Sequence, residues 1–283
     1  MLENRTLTIA SLLTAFFRPV LLTWLLTLCE TGLVAIVPLF IGFAIDGLLK
    51  DSMDAYQHLG IVLALLMIIA VLRRIYDTRV YGAIRVEVGK TQIFRSDKVP
   101  VSTLNARLGM ARELVDFLEQ EIPTIMNSFV QIAVSLIVLY VFNPVLCNAA
   151  LIATALVIIL YAFCHRRFYR LNADHNQQSE QQVNILEQKS KHAVLEHLDK
   201  LRRIEISLSD TEACLYGLIF AVFFGFIAFN LWVAATGMET TVGTIFSIIN
   251  YSWEFVEAAL VIPMALQNWS RLSEITQRIN KQD

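Results

Sequence analysis

Three carboxylates fall well inside stretches that are otherwise largely apolar. Glu30 lies in the run Val20 to Leu49, and Glu254 and Glu257 lie in the run Val242 to Leu266. An ionisable group at membrane depth is costly to hold there, and it ordinarily faces a cavity or a partner. Counted from the start of its run, Glu30 sits roughly 15 Å deep at the helical rise, near the midplane of a layer about 30 Å thick. Glu254 sits roughly 18 Å from the start of its own run, so the two are expected to share a depth. Ser247, Asn250, Glu254 and Glu257 are spaced 3, 4 and 3, which places them on one face of a helix.

Such a set could take up and release protons or hold a cation, with burial and mutual repulsion tuning the affinity. A purely structural reading stands beside it. The same carboxylates could hydrogen-bond to neighbouring helices through Gln131, Asn230 or Ser and Thr hydroxyls and simply hold the bundle together. Asp46 lies near the other end of the first run, close to the surface of the layer, and is of less interest for such chemistry.

Other chemistries find less support. His58, His165, His175, His192 and His197 invite a metal site, but His192 and His197 are five apart, a spacing that does not share a helix face. No metal is expected. Gly89-Lys90-Thr91 imitates the end of a phosphate-binding loop, yet the leading glycine is replaced by Ile84 and the segment continues a helix. No nucleophile stands beside a base, so no catalytic residue and no enzyme activity is expected. The four cysteines, Cys29, Cys147, Cys164 and Cys214, show no CxxC spacing and read as packing residues.

The elements that must position these residues follow from composition. Of 283 residues, 56% are hydrophobic, which places the chain in a bilayer. Six windows approach or exceed a span: Val20 to Leu49, Tyr56 to Leu72, Ile122 to Phe142, Val145 to Cys164, Ala213 to Thr236 and Val242 to Leu266. None shows the period-2 alternation of a barrel strand. An all-α membrane protein of six transmembrane helices is expected. The first 19 residues lack the features of a cleaved signal and read as an amphipathic helix leading into the membrane, ended by Pro19.

Short connections alternate with two long polar segments, Arg73 to Glu121 and His165 to Thr211. Of 23 Lys and Arg residues, 22 lie in the first eighteen residues, these two segments and the tail; Lys50 is the exception. By the positive-inside rule both termini and both segments are cytoplasmic. The segments carry apolar residues interleaved with charges, as in VNILEQKSKHAVLEHLDKLRRI, and should be helical arms projecting on the order of 30 Å. Their mixed signs favour a salt-bridged stalk over a strong lipid-binding patch. Nothing suggests nucleic-acid binding. Trp232 and Trp269 fit an interfacial aromatic belt, and Trp24 and Trp253 fit the bundle interior.

This organisation resembles the transmembrane domain of a type I ABC exporter over almost the whole chain. The carrying residues are VPLFIGFAIDGLL (Val37 to Leu49), YVFNPVL at the junction of the third and fourth helices, TVGTIFSIINY at the start of the sixth, and the closing WSRLSEITQRI. The resemblance implies a domain-swapped homodimer whose sixth helices line a translocation cavity, making Ser247, Asn250, Glu254 and Glu257 an acidic wall. Gln131 and Asn230 would add polar lining, with Glu30 contributing to proton coupling. The family normally continues into a nucleotide-binding domain, whereas this sequence stops at Asp283. The first cytoplasmic segment is also more compact than is usual. In lacking the motor the chain resembles the SbmA/BacA-like peptide permeases.

Three functions follow as expectations. A bacterial inner-membrane transporter could move a peptide- or siderophore-like solute by alternating access, coupled to protons through the carboxylates. A separately encoded nucleotide-binding subunit could instead dock on the arms, which is the one way ATP would enter as a cofactor. A non-transporting scaffold would need no acidic stripe. The expected partners are a second copy of the chain, membrane lipid and the solute.

Overall fold

The computed structural model describes residues 7–95, 101–187 and 190–280, with the side chains of the last helix described as far as Val261. These residues are helical almost throughout. In order they form α1 (Ile9–Ala15), α2 (Phe17–Leu48), α3 (Asp54–Arg95), α4 (Val101–Asp116), a π-helical turn (Phe117–Glu121), α5 (Ile122–Phe142), α6 (Pro144–Glu180), α7 (Gln182–Glu187), α8 (Lys191–Thr236) and α9 (Val242–Asn280).

Among the described residues, five stretches are long and apolar enough to cross a membrane: Phe17–Leu48, Asp54–Phe94, Arg107–Phe142, Pro144–Cys164 and Lys191–Thr236. The expected sixth window begins α9. Trp269 and the run WSRLSEITQRI lie beyond the described side chains, as does the side chain of His165, and the first six residues lie outside the described chain.

The chain divides into two compact units. The first comprises Met1–Asn143 with Ala234–Asp283, and the second comprises Pro144–Val233. In the first unit, α2 and α3 form a long antiparallel hairpin. Its turn closes through Lys50 N–H and Ser52 N–H, each donating to Gly47 O at 2.9 Å. Asp51 takes the left-handed conformation there, at φ 58°, a region that Asp tolerates better than most residues. The spanning part of α3 presents Ile61, Leu65, Met67, Ile68 and Leu72 outward, as a lipid-facing surface requires.

Pro19 does not end the leading helix. The break falls at Phe16, whose φ of −118° and ψ of 30° are non-helical, and Pro19 sits in the first turn of α2. A proline is tolerated there because the N–H it lacks would have no intrahelical partner. Thr8 and Ser11 cap α1 reciprocally, Ser11 N–H donating to Thr8 Oγ1 at 3.1 Å and Thr8 N–H to Ser11 Oγ at 3.0 Å.

Beyond its apolar run, α3 continues as an arm with a hydrophobic core of its own. Tyr81, Ile84 and Val88 of α3 are buried with Leu7, Leu12, Val20, Ala111, Leu114, Val115 and Leu118. Residues at spacings of 3 and 4 put one face of α3 against α4, and α1 closes the cluster.

In the second unit, Pro144 opens α6 directly after Asn143, which is extended at φ −163° and ψ 128°, the conformation a following proline favours. The arm portions of α6 and α8 are fastened by Gln178 Nε2 against His197 Nδ1 at 2.6 Å and by His175 Nε2 against Glu205 at 3.6 Å. These histidines join two helices to each other.

Candidate functional site

The first unit brings the flagged residues of α2, α5 and α9 into one bundle, and its contacts fix their registers. Arg73 pairs with Glu30 and the Tyr81 hydroxyl lies 3.2 Å from Thr23 Oγ1, setting α2 antiparallel to α3. Tyr251 donates its hydroxyl to Ala35 O at 2.7 Å and Ser247 donates to Pro38 O at 3.0 Å, setting α2 antiparallel to α9. Continued along the helices, the second register puts Glu30 level with residues 255 and 256. Glu30 and Glu254 therefore stand within about one turn of each other along the bundle axis.

The absolute depth differs from the sequence expectation. Glu30 is level with Arg73, which ends the apolar run of α3, about 28 Å from the hairpin turn at 1.5 Å per residue. That is the arm-side edge of a layer about 30 Å thick, not its midplane. Counting from Val20 misplaces it because the first turns of α2 pack on the arm core, where Val20 is 1% exposed.

The partners of the carboxylates differ in kind. Glu30 accepts from Arg73 through both of its oxygens, from Nε and, at 3.3 Å, from Nη2. Arg73 Nη1 also donates to Asp77 Oδ2 at 3.1 Å, so one guanidinium is shared by two carboxylates. Glu254 accepts from the neutral Gln131 amide of α5. Glu257 accepts from Trp253 Nε1 at 2.6 Å, one turn back on the same helix, and that pair is exposed. Glu30 thus sits with Arg73 and Asp77, whereas Glu254 sits with Gln131 and Glu257 with Trp253.

The expected acidic stripe is graded. Ser247 is 1% exposed and seated between α2 and α9, donating to the carbonyls of Pro38 and Gly243. It is a packing residue within the unit, not cavity lining, because Gly42 and Gly243 let the two backbones meet at its level. Asn250 is half-buried and donates to Phe246 O at 2.9 Å. Glu254 is half-buried and Glu257 exposed, so the polar face opens toward the arm end. Asn230 is fully buried on α8 in the second unit.

Asp46 has a specific structural task. Its Oδ1 accepts from Gly243 N–H at 2.8 Å and its other oxygen accepts from the Thr241 hydroxyl. It caps the N-terminus of α9 from a different helix, where a carboxylate is favoured by unsatisfied N–H groups and the helix dipole.

Several site residues escape the sequence reading. Arg73, Asp77, Tyr81 and Arg85 recur every four residues along one face of α3; Arg73, Tyr81 and Arg85 each bond to another helix, and Asp77 pairs with Arg73. Arg85 donates to Asp116 and Glu119. On α2, Thr31 Oγ1 lies 2.5 Å from Asn127 Oδ1 of α5. The signal available was the four-residue period of Arg, Asp, Tyr and Arg immediately after an apolar window.

A family model described as ABC transporter transmembrane region matches residues 10–243. No curated protein matches the sequence.

Proposed function

The chain belongs to the family of ABC transporter transmembrane regions, and on that premise we propose that it is a proton-coupled transporter for a peptide- or siderophore-like solute. A membrane transport role follows from the family. In the finer reading, two copies enclose a cavity in a bacterial inner membrane, with both termini cytoplasmic, and the solute crosses by alternating access.

The observation that carries this reading is the contrast between carboxylate partners. Protonating Glu30 would leave the Arg73 guanidinium short of its counter-charge, which is unfavourable in a half-buried site. Glu254 is held by a neutral amide, so a proton can come and go there without stranding a cation. Glu257, exposed one turn further toward the arm end, supplies a step between Glu254 and water. Glu30 is then a fixed anchor for α3 and the proton-carrying pair is Glu254 with Glu257.

A second reading is favoured by the arms. α3 runs to Arg95 over a packed core of its own, and α8 starts at Lys191, well before its apolar stretch. Levers of this kind suit docking of a separate nucleotide-binding subunit.

The test is the double variant Glu254→Gln/Glu257→Gln, purified as full chain and reconstituted in liposomes with a labelled cationic peptide. Loss of gradient-driven accumulation with retained peptide exchange is expected. A folded double variant that accumulates peptide like the unmodified protein would overturn the proton-coupled reading.

A further inference from the structure

Pro123 disfavours, without forbidding, a continuous α-helix from α4 into α5. Pro123 lacks an N–H, and in an α-helix its ring would press on the carbonyl four residues earlier, that of Glu119. The chain opens by one residue instead, with Ile122 N–H bonding to Phe117 O five positions back, the π pattern. Continued by one residue, that pattern would pair the N–H of position 123 with Leu118 O, and proline offers none. Tyr81 supplies the missing donor. Its phenol, 1% exposed, donates to Leu118 O at 3.1 Å.

One turn further along α3, Arg85 grips the same segment. It donates to Asp116 Oδ1 from Nε at 3.1 Å and from Nη2 at 2.6 Å, and Nη2 also reaches Glu119. Asp116 is the last residue before the π turn and Glu119 lies within it, so a single guanidinium spans the transition. The α3 arm thus supplies two groups that satisfy the irregular turn, beside Thr124 Oγ1 of α5, which donates to Gln120 O at 2.7 Å.

A π turn holds one residue more than an α turn. Closing it would rotate the helix on one side by about 100° relative to the other and shift it by about 1.5 Å. On one side lie Ala111 and Leu114, fixed in the arm core. On the other lie Asn127, facing Thr31, and Gln131, donating to Glu254.

We infer that Phe117–Glu121 is a pivot linking the arm to the carboxylate site, with Tyr81 and Arg85 as positioning residues that hold it in the π register. When α3 releases it, α4 and α5 turn against each other and Gln131 changes its hold on Glu254. The functional half of this inference rests on the transport reading above.

The test uses the full chain in nanodiscs, with the four native cysteines replaced and spin labels introduced in two pairs. Asn105 with Val86 reports α4 against α3, and Ile137 with Ile61 reports α5 against α3. Tyr81→Phe/Arg85→Gln should shift one pair by about 5–8 Å, the chord of a 100° turn at side-chain radius. Pro123→Ala, which restores the missing N–H and lets the α register form while leaving Tyr81 and Arg85 in place, should shift the same pair. The proposal also requires both variants to lose most gradient-driven peptide accumulation. Unmoved distances in both variants would overturn the pivot. Moved distances with full accumulation would overturn its role in transport. Because the distances are read without transport, a failure of proton coupling leaves them interpretable.

Discussion

Gly243→Ala probes the contact that seats α9 against α2, and its consequence can be worked out atom by atom. A Cβ on Gly243 would overlap Gly42 O and come within 2.7 Å of both Gly42 C and Asp46 Cγ, where ordinary contact begins near 3.4 Å. Two of these three atoms are α2 backbone, so the helices must part by on the order of 1 Å, and overpacking of this kind costs about 1–3 kcal/mol. Separation also stretches the Gly243 N–H bond to Asp46 and the Ser247 bond to Pro38 O. The cap is worth about 1 kcal/mol and the buried hydroxyl bond about as much. Alanine returns up to about 1 kcal/mol through its better helix propensity. The net expectation is a loss of about 2–4 kcal/mol, read by denaturant unfolding in mixed micelles through tryptophan fluorescence. Gly60→Ala is the reference, since nothing lies within 4 Å of a Cβ there, and it should be neutral or slightly stabilising. If Gly243→Ala unfolds at the same denaturant concentration as the unmodified protein, the close approach of α2 and α9 is refuted.

Glu30→Gln removes the counter-charge that Arg73 shares with Asp77 and should cost about 2 kcal/mol in the same unfolding assay. Glu30→Met/Arg73→Met should recover most of that loss, because replacing a whole partly buried pair is milder than stranding one member; a double variant worse than the single would contradict the anchor role. On the arm, Lys200 donates to Glu196 one turn away at 2.9 Å and holds its carboxyl below the usual carboxylate range. The folded-state pKa being depressed, this interaction is present above the ordinary carboxylate pKa and is lost as pH falls through the lowered value. A carbon-detected NMR titration should show the Glu196 midpoint rising when Lys200 is replaced by Met, and an unchanged midpoint would contradict the pairing.

The helices and their approximate limits were legible because long apolar runs and basic segments are properties of composition, readable without contacts. Gln131 was likewise legible as a hydrogen-bonding partner for a membrane carboxylate. What could not be read was register. Glu30 and Arg73 are 43 positions apart, and the sequence does not say which residue of α3 comes level with which residue of α2. The depth of Glu30 failed for a related reason, since Val20 is as apolar in an arm core as it would be in lipid. Ser247 shares a helical face with Glu254, yet periodicity cannot tell a packed seam from an open wall; the glycines at 42 and 243 decide that. The π turn was hidden because Pro123 alone is compatible with an ordinary helix start, and the partners of the turn, Tyr81 and Arg85, lie on another helix.

Proton coupling is settled by one comparison: purified full chain in sealed liposomes, a panel of labelled cationic peptides and siderophores outside, and either an inward proton gradient or ATP without a gradient. Accumulation driven by the gradient and abolished by an uncoupler is the result expected here. Accumulation that ignores the gradient, or none in its presence from protein that is folded and dimeric, would contradict the account and turn attention to a nucleotide-binding subunit on the arms.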